Sequence, residues 1–116
     1  MIEATSTARI VITTAASAEE GNRLGRALVE ERLAACATLL SPAHSIYRWQ
    51  GKMESSAETL LILKTAVDQL PVLEARLHEL HSYQTPEFLV IKIDAGSHAY
   101  LEWLRANLGA SQGTEV

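Results

Sequence analysis

Three short segments of this chain are apolar on consecutive residues: Ile10-Val11-Ile12, Leu60-Leu61-Ile62-Leu63 and Phe88-Leu89-Val90-Ile91. Successive side chains of a strand point to opposite faces of a sheet, so unbroken runs of this kind place apolar groups on both faces. A sheet with one solvated face alternates apolar and polar residues instead. The runs are short, rich in β-branched and aliphatic residues, and bounded by capping or turn residues, which marks them as strands. Two faces therefore need cover. If the face away from the helices presents five or six such side chains, leaving them wet forgoes roughly 1.5 to 3 kcal/mol each. A chain of 116 residues makes one domain and has no spare helix pair for that face, whereas copies of itself could cover it. The sequence predicts a homo-oligomer.

The elements around these runs follow from local signals. Ser17 with Glu20 three residues on reads as a capping box that starts a helix with Leu24, Ala27, Leu28 and Leu33 as its apolar stripe. Gly21 and Gly25 lie one turn apart on that helix; they are either neutral or allow something to pack close. Residues 35–49 read as a long strand bent at Pro42, turned at Gln50-Gly51-Lys52 into a returning strand over 59–64. Asp68 is expected to cap a second helix with Pro71 in its first turn, and Pro86 precedes the last strand. Ser97 is expected to cap a closing helix to Leu108. The order is β-α-β-β-α-β plus a C-terminal helix: an α+β fold of the ferredoxin-like plan, with two helices on one face of a four-stranded antiparallel sheet. One domain over residues 8–108 is expected, with 1–7 and 109–116 as flexible tails.

Composition narrows the function. A net charge of −4 with no basic block disfavours nucleic acid and anionic membranes, which require clustered positive charge. An RNA-recognition domain shares the element order but stacks bases on aromatics of its central strands, and the strands over 9–14 and 59–64 have none. One cysteine closes no intrachain disulfide, the N-terminal residues carry no signal-like run, and no apolar stretch reaches spanning length, so a cytoplasmic protein is expected. There is no Gly-x-Ser-x-Gly, no His-Glu-x-x-His and no nucleophile with an evident base, so no enzymatic reaction is assigned.

Glu31-Arg32-Leu33-Ala34-Ala35-Cys36-Ala37, Ser45-Ile46-Tyr47-Arg48-Trp49-Gln50-Gly51-Lys52, Ile62-Leu63-Lys64-Thr65, His81-Ser82-Tyr83-Gln84-Thr85-Pro86-Glu87 and Tyr100-Leu101-Glu102-Trp103-Leu104 together resemble the CutA family of divalent-cation tolerance proteins. The resemblance implies a ferredoxin-like homotrimer with hairpin arms joining neighbouring subunits, an architecture shared with the PII signalling proteins. It also implies a nonenzymatic part in tolerance of copper or another divalent cation. Copper-binding members resemble one another in a Cys at the end of the first strand and two adjacent histidines before a Pro-Tyr. Here those places hold Thr13, Leu80 with His81, and Ser82, which leaves His81 as the metal candidate.

The residues that could carry chemistry are few. Cys36, between two alanines, reads as a small buried hydrophobe ahead of a thiolate ligand. His78 and His81, three apart, could share a helix face and chelate an ion with a third ligand, or simply solvate the helix end. Trp49 and Tyr47 lie on an arm with little apolar surface of its own, so their rings need a neighbouring subunit or a ligand. Lys64 and Glu87 are charges beside apolar runs, where burial demands a partner, and they could pair with each other or across the interface. The functional reading gathers Trp49, Lys64, Tyr83 and Glu87 with His81 at an intersubunit cleft for an ion or small metabolite; the other reading is interface stabilisation alone. A PII-like signalling module with no physiological metal is the alternative function, although no Gly-rich phosphate cradle is present.

Overall fold

The structure, a computed structural model, describes residues 1–109. After a short β1 (Ile2–Ala4), the first apolar run lies in β2 (Ala8–Ala15), followed by α1 (Ala18–Glu30). Ser17 Oγ accepts the Glu20 N–H at 3.1 Å, as a helix cap requires. The Glu20 carboxylate reaches one residue further back than a capping box would, to the Ala16 N–H at 3.0 Å. β3 (Cys36–Trp49) and β4 (Lys52–Ala66) make one long hairpin. Gln50 and Gly51 turn it with φ of 51° and 80°, the left-handed pair that matches the strands' own twist. The expected bend is a register shift between Leu40 and Ala43, where Ser41-Pro42 interrupts the ladder.

α2 (Leu70–Leu80) has Pro71 in its first turn, but Asp68 is not its cap. A 3-10 turn over Val67–Gln69 intervenes and moves the cap position to Gln69. β5 (Leu89–Lys92), β6 (Ala95–Ser97) and α3 (His98–Ala106) complete the chain, with Ser97 Oγ accepting the Tyr100 N–H as the cap of α3. The main sheet is antiparallel in the order β3-β4-β2-β5, so the expected β-α-β-β-α-β order runs from β2 to β5. A second small sheet pairs β1 with β6. Residues 1–7, expected as a free tail, thus contain a strand. The extended segment between β5 and α3 has backbone groups to satisfy, and β1 supplies partners at Ile2↔Ser97 and Ala4↔Ala95. At the other end, the Gly109 N–H donates to the Arg32 carbonyl at 2.9 Å, while the rest of the expected tail, 110–116, lies outside the described residues.

The core lies on one face of the main sheet, where Val11, Leu61 and Leu63 meet Leu24 and Leu28 of α1 and Leu73 and Leu77 of α2, all essentially inaccessible. Gly21 and Gly25 explain how closely α1 sits. A Cβ on Gly21 would come within 2.9 Å of Thr59 Cγ2, and one on Gly25 within 3.2 Å of Ala37 Cβ, so close packing is the reading that holds. The strand registers place Ile10, Ile12, Leu60 and Ile62 on the opposite face, with Leu40, Leu89 and Ile91 beside them. Those last three remain about half exposed, at 52%, 57% and 48%. The doubly apolar strands do produce one buried face and one open apolar face. No helix among the described residues is long and apolar enough to cross a membrane.

Candidate functional site

At one end of the open face, the β3 arm leans over the loop that leaves α2 and encloses a cleft of about 540 Å³. Ser45, Ile46, Tyr47 and Trp49 of β3 form one wall. Tyr83, Gln84, Thr85 and Glu87 of the exit loop form the other, and Thr14 and Glu58 supply the floor. Trp49, Tyr83 and Glu87 are therefore brought together as the sequence suggested. Lys64 is not. It is six residues along β4 from Glu58, roughly 20 Å at the rise of an extended strand, and its ammonium lies 3.9 Å from Cys36 Sγ. Within one subunit, Lys64 and Glu87 therefore do not form an ion pair. Cys36, expected to be buried, is partly exposed on this edge strand.

His81 stands behind the cleft. Its side chain is fully buried, Nε2 lies 2.7 Å from the Thr14 carbonyl, and Nδ1 accepts the Tyr83 N–H at 3.0 Å. A carbonyl only accepts and an amide N–H only donates, so these partners fix the neutral tautomer with the proton on Nε2. A divalent ion needs a free nitrogen lone pair, and both ring nitrogens are committed to the fold. No group of three or more His, Cys, Asp or Glu among the described residues converges as a metal centre. The residues around His81 do not fit a metal site.

Glu20 shares this buried node. Its Oε1 accepts from the Ala16 N–H and from Ser82 Oγ at 3.1 Å, and its Oε2 accepts from the Ser82 N–H at 2.9 Å. Burial works against the charge, yet these hydrogen bonds outweigh it and hold the carboxyl below its usual value of 4.5. The start of α1 is thereby tied to the exit of α2. The tie positions Tyr83, whose ring packs against His81 with centroids 4.7 Å apart and planes tilted by 44°, and whose hydroxyl donates to Glu58 Oε2 at 2.6 Å.

Inside the cleft the balance reverses. Burial first, and the hydrogen bond to Glu58 second, push the Tyr83 phenol well above its usual range. Glu87 remains exposed as a residue, but partial burial of its carboxyl raises its pKa, and the charge of Glu58 adds to the shift. Glu58 and Glu20 are the residues that the sequence reading missed. Glu58 flanks the run Thr59-Leu60-Leu61-Ile62-Leu63 at the opposite end from Lys64, so the argument that singled out Lys64 applied equally to Glu58. Glu20 was legible only as a cap.

Comparison with known proteins places this geometry in a lineage. Residues 9–107 match the family described as CutA1 divalent ion tolerance protein. The divalent-cation tolerance protein CutA of Thermus thermophilus is 43% identical over 100 residues, covering 86% of this chain and 97% of that protein. The chloroplastic protein CutA of Arabidopsis thaliana is 38% identical over 83% of this chain, which spans 53% of that longer protein. The structure of CutA from Synechococcus elongatus superposes with a TM-score of 0.90 at 38% identity, over 94% of this chain and 96% of the other.

Proposed function

The chain belongs to the CutA1 divalent ion tolerance protein family, and from that premise we propose that it acts as a nonenzymatic homotrimer whose Tyr83–Glu58–Glu87 cleft, set between subunits, binds a small ligand. The single observation that carries this reading is the cleft itself. It has the volume typical of small-ligand sites, about 300 to 1,000 Å³, and the arm that walls it presents Trp49 and Tyr47 about half exposed. Aromatic rings left in that state on a protruding hairpin support a neighbouring subunit or a ligand as their cover. The open apolar face around Leu40, Leu89 and Ile91 supports self-association. A PII-like role, in which ligand occupancy of the cleft is passed to a partner protein, fits this better than copper held by His81, because the His81 ring has no free lone pair. The cytoplasm is the compartment this reading assumes.

Two measurements test it together. Light scattering of the folded protein is expected to return three copies of the 12.7 kDa chain, and a monomer mass overturns the intersubunit cleft. Titration with copper or zinc chloride, followed by the ring resonances of His81, is expected to leave that ring unperturbed. Metal binding at His81 tighter than to free histidine would restore the metal reading.

A further inference from the structure

The lining of the cleft has a definite charge. Among the described residues of one subunit, its ionisable side chains are the carboxyls of Glu58 and Glu87 and the phenols of Tyr47 and Tyr83, with no Lys, Arg or His. Glu58 is only 7% exposed, yet it forms no ion pair among the described residues. Its one hydrogen bond within them is the Tyr83 hydroxyl on Oε2, which leaves Oε1 without a donor. Glu87 has neither a hydrogen-bond donor nor an ion-pair partner there. A carboxylate taken out of water without a counter-charge is costly, and proteins normally meet that cost with a cation. Beside these groups stand the rings of Tyr47, Trp49 and Tyr83, whose electron-rich faces attract organic cations.

Resting on the reading of this cleft as a ligand site, we propose that its ligand is an organic monocation, an amine or quaternary ammonium group, seated between the Glu58 and Glu87 carboxylates and the rings of Trp49, Tyr47 and Tyr83. Anionic metabolites are disfavoured by this subunit's share of the lining, since nothing among its described residues offsets a phosphate or carboxylate. An inorganic divalent ion is disfavoured because the cleft gathers only two carboxylates, and no group of three or more His, Cys, Asp or Glu converges among the described residues. Glu87 adds a pH dependence: its partly buried carboxyl shares the cleft with Glu58, Tyr83 and Tyr47, and cation binding strengthens as Glu87 ionises with rising pH.

The test uses the full chain and four probes of different charge: choline, its size-matched neutral carbon isostere dimethylbutanol, inorganic phosphate and zinc chloride. The readouts are the Trp49 indole and Tyr83 ring resonances. Choline is expected to shift both to saturation, with the isostere at least about tenfold weaker. Glu58→Gln keeps the shape of the side chain and an acceptor for Tyr83, and is expected to reduce choline to the level of the isostere. Glu87→Gln is expected to remove the rise of affinity with pH. The proposal is overturned if the isostere, phosphate or zinc binds in the cleft as tightly as choline, or if Glu58→Gln leaves choline affinity unchanged; in either case the cleft remains a ligand site of another class. If no probe of any charge moves these resonances, the cation proposal and the ligand-cleft reading both fall.

Discussion

Glu20 and the pair Glu58 and Glu87 lie at either side of the same exit loop, and they show two fates for a carboxylate. Glu20 is buried and surrounded by donors from Ala16 and Ser82, so its charge is favoured and its carboxyl is held below 4.5. Glu58 is as buried but has one donor, and Glu87 has none among the described residues; there the neutral form of Glu87 is favoured. The first arrangement fastens α1 to the end of α2. The second gives Glu58 one donor and Glu87 none among the described residues, and keeps the charges available to whatever enters the cleft. Full satisfaction of a polar group marks structure here, and incomplete satisfaction marks the site.

The comparison predicts an ordered set of effects. Glu20→Ala removes hydrogen bonds to a charged acceptor and leaves the Ala16 and Ser82 amides without their partner, so chemical denaturation at neutral pH should show a loss of about 3 kcal/mol. A loss near zero would dissolve the distinction between the two regions. Tyr83→Phe takes from Glu58 its one donor among the described residues and should cost about 1 to 3 kcal/mol, with Glu58→Gln in the same background recovering part of it. Gly21→Ala drives a methyl against the buried Thr59, whose hydroxyl donates to Ser41 Oγ. Overpacking of about 1 to 3 kcal/mol, set against about 1 kcal/mol of improved helix propensity, should leave a small net loss. Glu87→Gln should have the smallest effect and the opposite sign, a slight gain in stability at neutral pH, because it removes a charge that folding disfavours.

Much of the fold was legible because its signals were local. The strand runs, the Ser17 and Ser97 caps, Pro71 in the first turn of α2 and the Gln50-Gly51 reversal each depend on neighbours within a few residues. The strand β1 was not legible, since three residues paired with a segment more than ninety positions away carry no local pattern. Trp49 was named as an aromatic on an arm with little apolar surface of its own and Glu87 as a charge beside an apolar run, and within the chain they meet with Tyr83. Lys64 lies outside the cleft within one subunit, because a strand's two ends look alike in sequence and lie far apart in space. His81 was offered as a ligand from the family resemblance and from its spacing to His78, and only its carbonyl and amide partners reveal that both nitrogens are used.

A carboxyl-carbon NMR titration of the side chains of Glu20 and Glu87 in the unliganded protein tests the central contrast most directly. Glu20 should titrate below 4.5, so that its contribution to stability is present above that value and is lost as pH falls through its folded pKa. Glu87 should titrate above 4.5, so that stability declines as pH rises from 4.5 through its folded pKa. The account predicts that order, with Glu20 ionising first as pH is raised. Coincident midpoints, or Glu87 ionising before Glu20, would contradict it.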